Sequence, residues 1–330
     1  MILYTERDAE LNLRPPYRMT GVEGLFATRR ISARAAQKWI DETLNWRPAG
    51  TPERTRFSAL PLAFTAFLRV REMRSLDLQH AAWPAMKESE LSVVLPVVES
   101  KPGELPDLSS LKFYPILLCL DSSPAMISGR EVFGFPKFLG SVEWDDRGGE
   151  ARCEVARRLS DPAAVRDARL MALYRAGDPL AGPPEEPLDS FSRGLARMAA
   201  EELAGADIVS NFTRELWKEL WGDLGESMLV GWLIDALTAM AGPFDFVFLK
   251  QFRDITEPRH ACYRCVATSE IRFSGVTSPR FLGGDWELDV PPHHSSALLK
   301  DLELHGGPIG RPLRMDFDFD LALGKKIWSS

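Results

Sequence analysis

The sequence predicts an α+β fold, an antiparallel sheet or barrel with a helical segment set into it. Three observations lead there. From about Ser58 to Arg157, short runs rich in β-branched and aromatic residues follow one another, separated by breaks such as "ESKPGELPDLSS" and "DDRGGE". No helical period falls between those runs, which disfavours a doubly wound α/β architecture. Within residues 212–240 the period becomes helical, and after Pro243 the strand pattern returns.

Taken in order, "ISARAAQKWIDETL" (31–44) has a serine at a capping position and spaced apolar residues, so it reads as a short helix. The segments "LPLAFTAFLRVREM", "ELSVVLPVV", "YPILLCL", "PAMISGREVF" and "EARCEVARRL" read as strands. "RAGDPLAGPPEEPLDS" (175–190) reads as a linker, with Glu185 and Glu186 in solvent. Beyond it Leu216, Leu220, Leu224 and Met228 recur at helical spacing beside Trp217, Trp221 and Trp232, the mark of an amphipathic helix or helical pair. "FDFVFLKQF", "ACYRCVATSEIRFSG" and the tail "LRMDFDFDLALGKKIW" are strands again. The expectation is one domain over 1–330, with 175–243 as a linker and helical insertion.

Composition removes several functions. Forty Lys and Arg against forty-seven Asp and Glu give a net charge of −7, so no nucleic-acid partner is expected. The beginning of the chain is charged where a signal peptide is apolar, and no uncharged run reaches the ~20 residues that span a bilayer. A cytoplasmic protein with no membrane partner is expected. Four cysteines in 330 residues make no disulfide framework. Cys262 and Cys265 sit three apart in a strand, on opposite faces, with no second pair to complete a zinc site. His293 and His294 precede a helical pattern and suit capping or surface roles. Walker, dinucleotide-binding, serine-elbow and zinc-protease motifs are all missing, and neither cofactor nor metal is expected.

The chemistry therefore falls to "GREVFGFPKFLG" (129–140), where Lys137 stands between Pro136 and Phe138, just after Phe133 and Phe135. An unperturbed lysine is almost wholly protonated near neutrality. Burial among apolar groups disfavours the ammonium, so an uncharged, nucleophilic amine is expected here. Such an amine condenses with a ketone or aldehyde, and the iminium formed accepts electrons from a bond breaking nearby.

The longer string "CLDSSPAMISGREVFGFPKFLG" (119–140) resembles the active-site segment of the acetoacetate decarboxylase family. Gly129, Arg130, Glu131, Pro136, Lys137, Leu139 and Gly140 fall in register, and "MKESELSVVLPV" (86–97) and "GGDWELDVPPHHSSALLKDLEL" resemble flanking segments. The resemblance implies a curved antiparallel sheet closing into a barrel-like cone, in a homo-oligomer. It makes Lys137 the Schiff-base lysine and Glu88 an acid/base residue. The implied reaction is decarboxylation of a small β-keto acid, with aldol or dehydratase chemistry on a 2-keto acid, or ligand binding without turnover, as alternatives. Phe135, Phe138, Arg130, Glu131 and Arg29 are the candidate substrate contacts, although at most one of Arg130 and Glu131 can face a pocket from a strand. Two departures stand out. Phe138 replaces the second lysine of the decarboxylases, and Glu23 falls near the place of an arginine that serves an acidic substrate, with Arg18 and Arg29 the nearest basic residues.

Overall fold

Long strands that bury side chains on both faces, alternate residues serving two different cores, build most of the barrel wall. The computed structural model describes residues 12–48, 55–101, 104, 107–145, 150–156, 167–176, 183–203, 243–291 and 297–329. The chain enters through β1 (Tyr17–Arg30) and α1 (Ala33–Thr43), the latter capped by the Ser32 side chain, which accepts from Ala35 N–H. Four strands follow: β2 (Arg56–Ala59), β3 (Leu62–Ser75), β4 (Met86–Ser100) and β5 (Asp107–Leu120). Next come α2 (Ser123–Ser128), β6 (Lys137–Leu139), β7 (Ser141–Trp144), β8 (Ala151–Ala156), β9 (Asp167–Ala176) and β10 (Glu186–Pro187). The rest comprises α3 (Phe191–Leu203), β11 (Phe244–Arg253), β12 (Ala261–Phe281), β13 (Asp285–Asp289), α4 (Ala297–Asp301), β14 (Gly307–Ile309), β15 (Leu313–Leu321) and β16 (Lys325–Ser329).

Seven strands close into a ring in the order β4-β3-β1-β15-β12-β11-β5, with β5 pairing back onto β4. Every junction is antiparallel except β5–β11, where two residue pairs run parallel. β6 adds to β5 in parallel at the barrel rim. Closure removes the edges that an open curved sheet would expose. A second sheet, β14-β13-β9-β8-β7, packs with α1 and α4 against the outer face of β1, β3, β4 and β5. Successive residues of β4 serve the two sides: Leu91, Val93, Leu95 and Val97 fill the outer core, while Glu88, Glu90, Ser92 and Val94 face the barrel interior.

The expected fold class therefore holds, and most predicted strands form. Two local readings change. "PAMISGREVF" is no strand: Ser122 accepts from Ala125 N–H and Pro124 occupies the first turn, which starts α2 despite the apolar run. Within the predicted linker, residues 177–182 lie outside the described residues, and Glu186, expected in solvent, bonds Arg197 and Arg311, the latter at 2.7 Å, on a short β10 that pairs with β12. α3 then lies over the barrel, tied to β1 where Thr28 Oγ1 donates to Met198 O (3.3 Å) and Arg30 N–H to Glu202 Oε1 (2.9 Å). The Leu216–Met228 stripe, His293 and His294 lie outside the described residues. Cys262 is exposed and Cys265 buried, as opposite strand faces require. Among the described residues no helix is long and apolar enough to cross a membrane.

Candidate active site

The segment that carries Lys137 doubles back on itself. After α2 the helix widens into a single π-turn, Gly129–Phe133, and stops at Gly134, whose φ of +79° a side-chain-bearing residue adopts only under strain. A Cβ at Gly134 would also meet the Lys250 backbone at 2.5 Å. Phe135 N–H donates to Gly129 O (3.1 Å), and this brings the lysine stem back over Gly129. β11 braces the turn from outside, with Lys250 Nζ donating to Val132 O (3.0 Å). Lys137 then pairs with Leu118 of β5, and strand alternation sends its side chain into the barrel and that of Phe138 toward the outer core.

Inside, the Lys137 amine lies 3.1 Å from Glu90 Oε2 and 3.5 Å from Glu88 Oε2, and all three side chains are buried. Ser92 Oγ donates to Glu90 Oε1 at 2.5 Å and fixes that carboxylate. The residues converge because β4 presents positions 88, 90 and 92 on one face and β6 faces them from the rim. They open onto a cavity of about 140 Å³ inside the barrel. Apart from these four and Tyr17, whose hydroxyl donates to Leu13 O, the described lining is apolar.

The expectation of an uncharged amine needs correction. Burial does push the Lys137 ammonium down, but the Glu88 and Glu90 charges outweigh it, and its pKa lies above the ordinary lysine value. The resting site thus holds an ammonium. Burial pushes the Glu88 carboxyl up to about 7, opposed by Lys137 and reinforced by Glu90. Near neutral pH this carboxyl is divided between its two forms, the condition in which a group both takes and gives a proton.

Of the sequence candidates, Lys137, Glu88 and Phe135 line the cavity. Four others do not. Phe138 packs in the outer core because it follows Lys137 on a strand. Arg130 and Glu131 are exposed, since the turn that carries them is helical and directs them outward. Arg130 Nη1 instead donates to Lys137 O at 3.3 Å and steadies the backbone behind the amine. Arg29 is drawn off by Pro308 O at 2.6 Å and lies 3.9 Å from Glu202. Glu23, likewise outside the cavity, meets Arg71 at 2.8 Å and Arg69 and Arg314 at 3.7 Å. Glu90 and Ser92 escaped the sequence reading, although their spacing of two from Glu88 marks a shared face.

Two expected results follow from this geometry. A Cβ on Gly129 would lie 2.6 Å from Lys137 Cδ and 2.9 Å from Cε. Gly129 has helical dihedrals, so Gly129→Ala should fold; moving the boxed-in amine should slow carbonyl capture by roughly 10²-fold, read by timed mass spectrometry. The raised Glu88 pKa also makes a statement about stability. The folded state holds this proton more tightly than the unfolded chain, so stability falls as pH rises from about 4.5 toward 7. Thermal melts should show a fall of roughly 5 °C across that window, and Glu88→Gln should flatten it.

Residues 4–164 match the family model described as acetoacetate decarboxylase (ADC). No curated protein sequence matches the chain. Among solved structures, an acetoacetate decarboxylase from Legionella pneumophila is similar at a TM-score of 0.57 and 15% identity, covering 99% of this chain and 93% of that one. An acetoacetate decarboxylase-like enzyme from Sphingomonas wittichii gives 0.53 and 12%, over 100% and 99% of the two chains. The enduracididine biosynthesis enzyme MppR, complexed with pyruvate, gives 0.52 and 12%, over 97% and 93%. At these identities the structural likeness speaks for the fold. The family match covers β4, β5 and the turn that carry Glu88, Glu90 and Lys137; over these residues the chain resembles the acetoacetate decarboxylase family, and its fold is the one the solved relatives share.

Proposed function

We propose that this protein is a lyase that forms a Schiff base between Lys137 and a carbonyl substrate, with Glu88 and Glu90 moving the protons. The observation that carries this reading is a buried amine held 3.1 and 3.5 Å from two carboxylates at the wall of an apolar cavity. Because the amine rests protonated, the first step passes its proton to a neighbouring carboxylate. The freed amine attacks the carbonyl carbon, and protonation of the oxygen releases water and leaves an iminium. With a β-keto acid, the bond to the carboxylate carbon breaks, its electrons move to the iminium nitrogen, and carbon dioxide leaves an enamine. The enamine carbon takes a proton from Glu88, and water returns to hydrolyse the product ketone from Lys137.

Aldol or dehydratase chemistry on a 2-keto acid shares the iminium: a carboxylate removes a proton from the neighbouring carbon, and the enamine so formed attacks an aldehyde, whose oxygen takes up a proton. Two carboxylates beside one amine favour keeping this second reading, since one can serve the nitrogen and the other the new hydroxyl. The solved MppR complex with the condensation product of pyruvate and imidazole 4-carboxaldehyde adds support. The test is borohydride reduction in the presence of acetoacetate, or of pyruvate with an aldehyde, followed by peptide mass spectrometry. A reduced adduct on Lys137 is expected; carbon dioxide release from acetoacetate or a condensed product separates the two reactions. Unmodified Lys137 with every carbonyl compound would leave a binding protein on this fold.

A further inference from the structure

We propose that the cavity takes a carbonyl compound whose non-reacting part is an uncharged alkyl or aryl tail, seated against the barrel wall opposite Lys137. This rests on the Schiff-base reading for the orientation of the carbonyl, while the tail pocket stands on its own geometry. In the closed ring, the reacting groups sit on β4 and beside its neighbour β5. The strands across the ring are β15 and β12, and they contribute Phe317, Phe319, Phe273 and Ile271 to the lining. α3 adds Phe191 and Leu195. The rings pack on one another, with Phe273 centred 5.0 Å from Phe317 and 5.1 Å from Phe191.

Eleven of the eighteen phenylalanines in the chain line this one cavity, so apolar contact area is concentrated here. Charge is distributed in the opposite sense. Among the described lining residues Lys137 is the one cation, and it already faces Glu88 and Glu90. Arg29 and Glu23, the positions where recognition of an acidic substrate was sought, lie outside the lining. A carboxylate remote from the reacting carbon would therefore be desolvated without a partner and repelled by two acids. An alkyl or aryl group at the same place meets ring edges and faces. A substrate fixed at Lys137 must extend its remaining substituent toward that wall, because β4 and the Lys137 turn close the near side.

The test compares acetone, butyl methyl ketone, benzylacetone and 5-oxohexanoate, which carries a carboxylate at the far end of its chain, in borohydride capture, each normalised to its capture by free N-acetyl-lysine. The half-saturating concentration should fall at least tenfold from acetone to butyl methyl ketone, given about fourfold per buried methylene. Benzylacetone should rank with the latter, and 5-oxohexanoate last. A second measurement needs no covalent chemistry: butylbenzene, which has no carbonyl, should raise the melting temperature of the full chain. Equal capture of all ketones, or 5-oxohexanoate ranked first, overturns the proposal, as does a melting temperature unmoved by butylbenzene. Failure of every ketone to label Lys137, with the melting shift intact, overturns the Schiff-base reading and leaves the tail pocket standing.

Discussion

Replacing Lys137 with alanine is expected to abolish carbonyl capture and to lower turnover by roughly 10⁴-fold or more, because no other described lining residue offers a nucleophilic nitrogen. The same change removes the cation that sits 3.1 and 3.5 Å from two buried carboxylates. In the variant the Glu88 carboxyl, already raised by burial, loses the ammonium that holds it down. The loss of stability should therefore grow as pH rises, and be larger at pH 8 than at pH 5. Lys137→Arg separates the two effects. A guanidinium keeps the charge but forms no imine under these conditions, so stability should be largely retained while capture is lost. Borohydride labelling and thermal melts on the pair read both quantities. Capture surviving in either variant would place the reactive amine elsewhere.

Glu90→Gln is expected to give the second largest effect. Glu90 is the nearer of the two counter-charges, and Ser92 holds it in place. An amide accepts a hydrogen bond from the amine but takes no proton and carries no charge. Two results should follow, with opposite signs. Turnover should fall by about 10²–10³-fold, the usual range for a lost acid/base group. The Lys137 ammonium, relieved of one of the charges that raise its pKa, should deprotonate at lower pH. The pH at which capture reaches half its maximum should move down, even as the overall reaction slows. A pH profile of capture beside a turnover assay distinguishes this from simple disruption, which would depress both with no shift of midpoint. An unchanged midpoint would mean that Glu90 does not set the charge state of Lys137.

Much of this was legible in the sequence, for reasons that can be named. β3, β5, β11 and β15 announce themselves because a barrel wall with apolar cores on both sides needs runs of Val, Ile, Leu and Phe. Lys137 stood out because a lone amine among aromatic residues is costly unless compensated. What compensates it was also written there: Glu88, Glu90 and Ser92 alternate, and period-two spacing on a strand puts them together. The same rule, applied forward from Lys137, turns Phe138 away. The π-turn was hidden by its composition, since "PAMISGREVF" looks like a strand to any count of apolar residues. Its starting signal, Ser122 with Pro124 in the first turn, was local and readable. The positions of Arg29 and Glu23 were not readable. They depend on Pro308 and Arg314, nearly three hundred residues away, which only the closed ring brings near. The resting charge of the amine was misjudged because burial was weighed and the opposing carboxylates were not.

The barrel has one thin seam. β1 and β3 share thirteen residue pairs, whereas β5 and β11 meet through two, Asp245 with Lys112 and Phe246 with Phe113. The turn that presents Lys137 is strapped across this seam, attached to β5 through that residue and to β11 through Lys250. Opening of the wall there would break the Lys250 brace, while Lys137 stays paired with β5 and, because β5 pairs along β4, beside Glu88 and Glu90. Amide hydrogens flanking the seam should therefore exchange with solvent sooner than those of β1 and β3, and a trapped adduct should slow them.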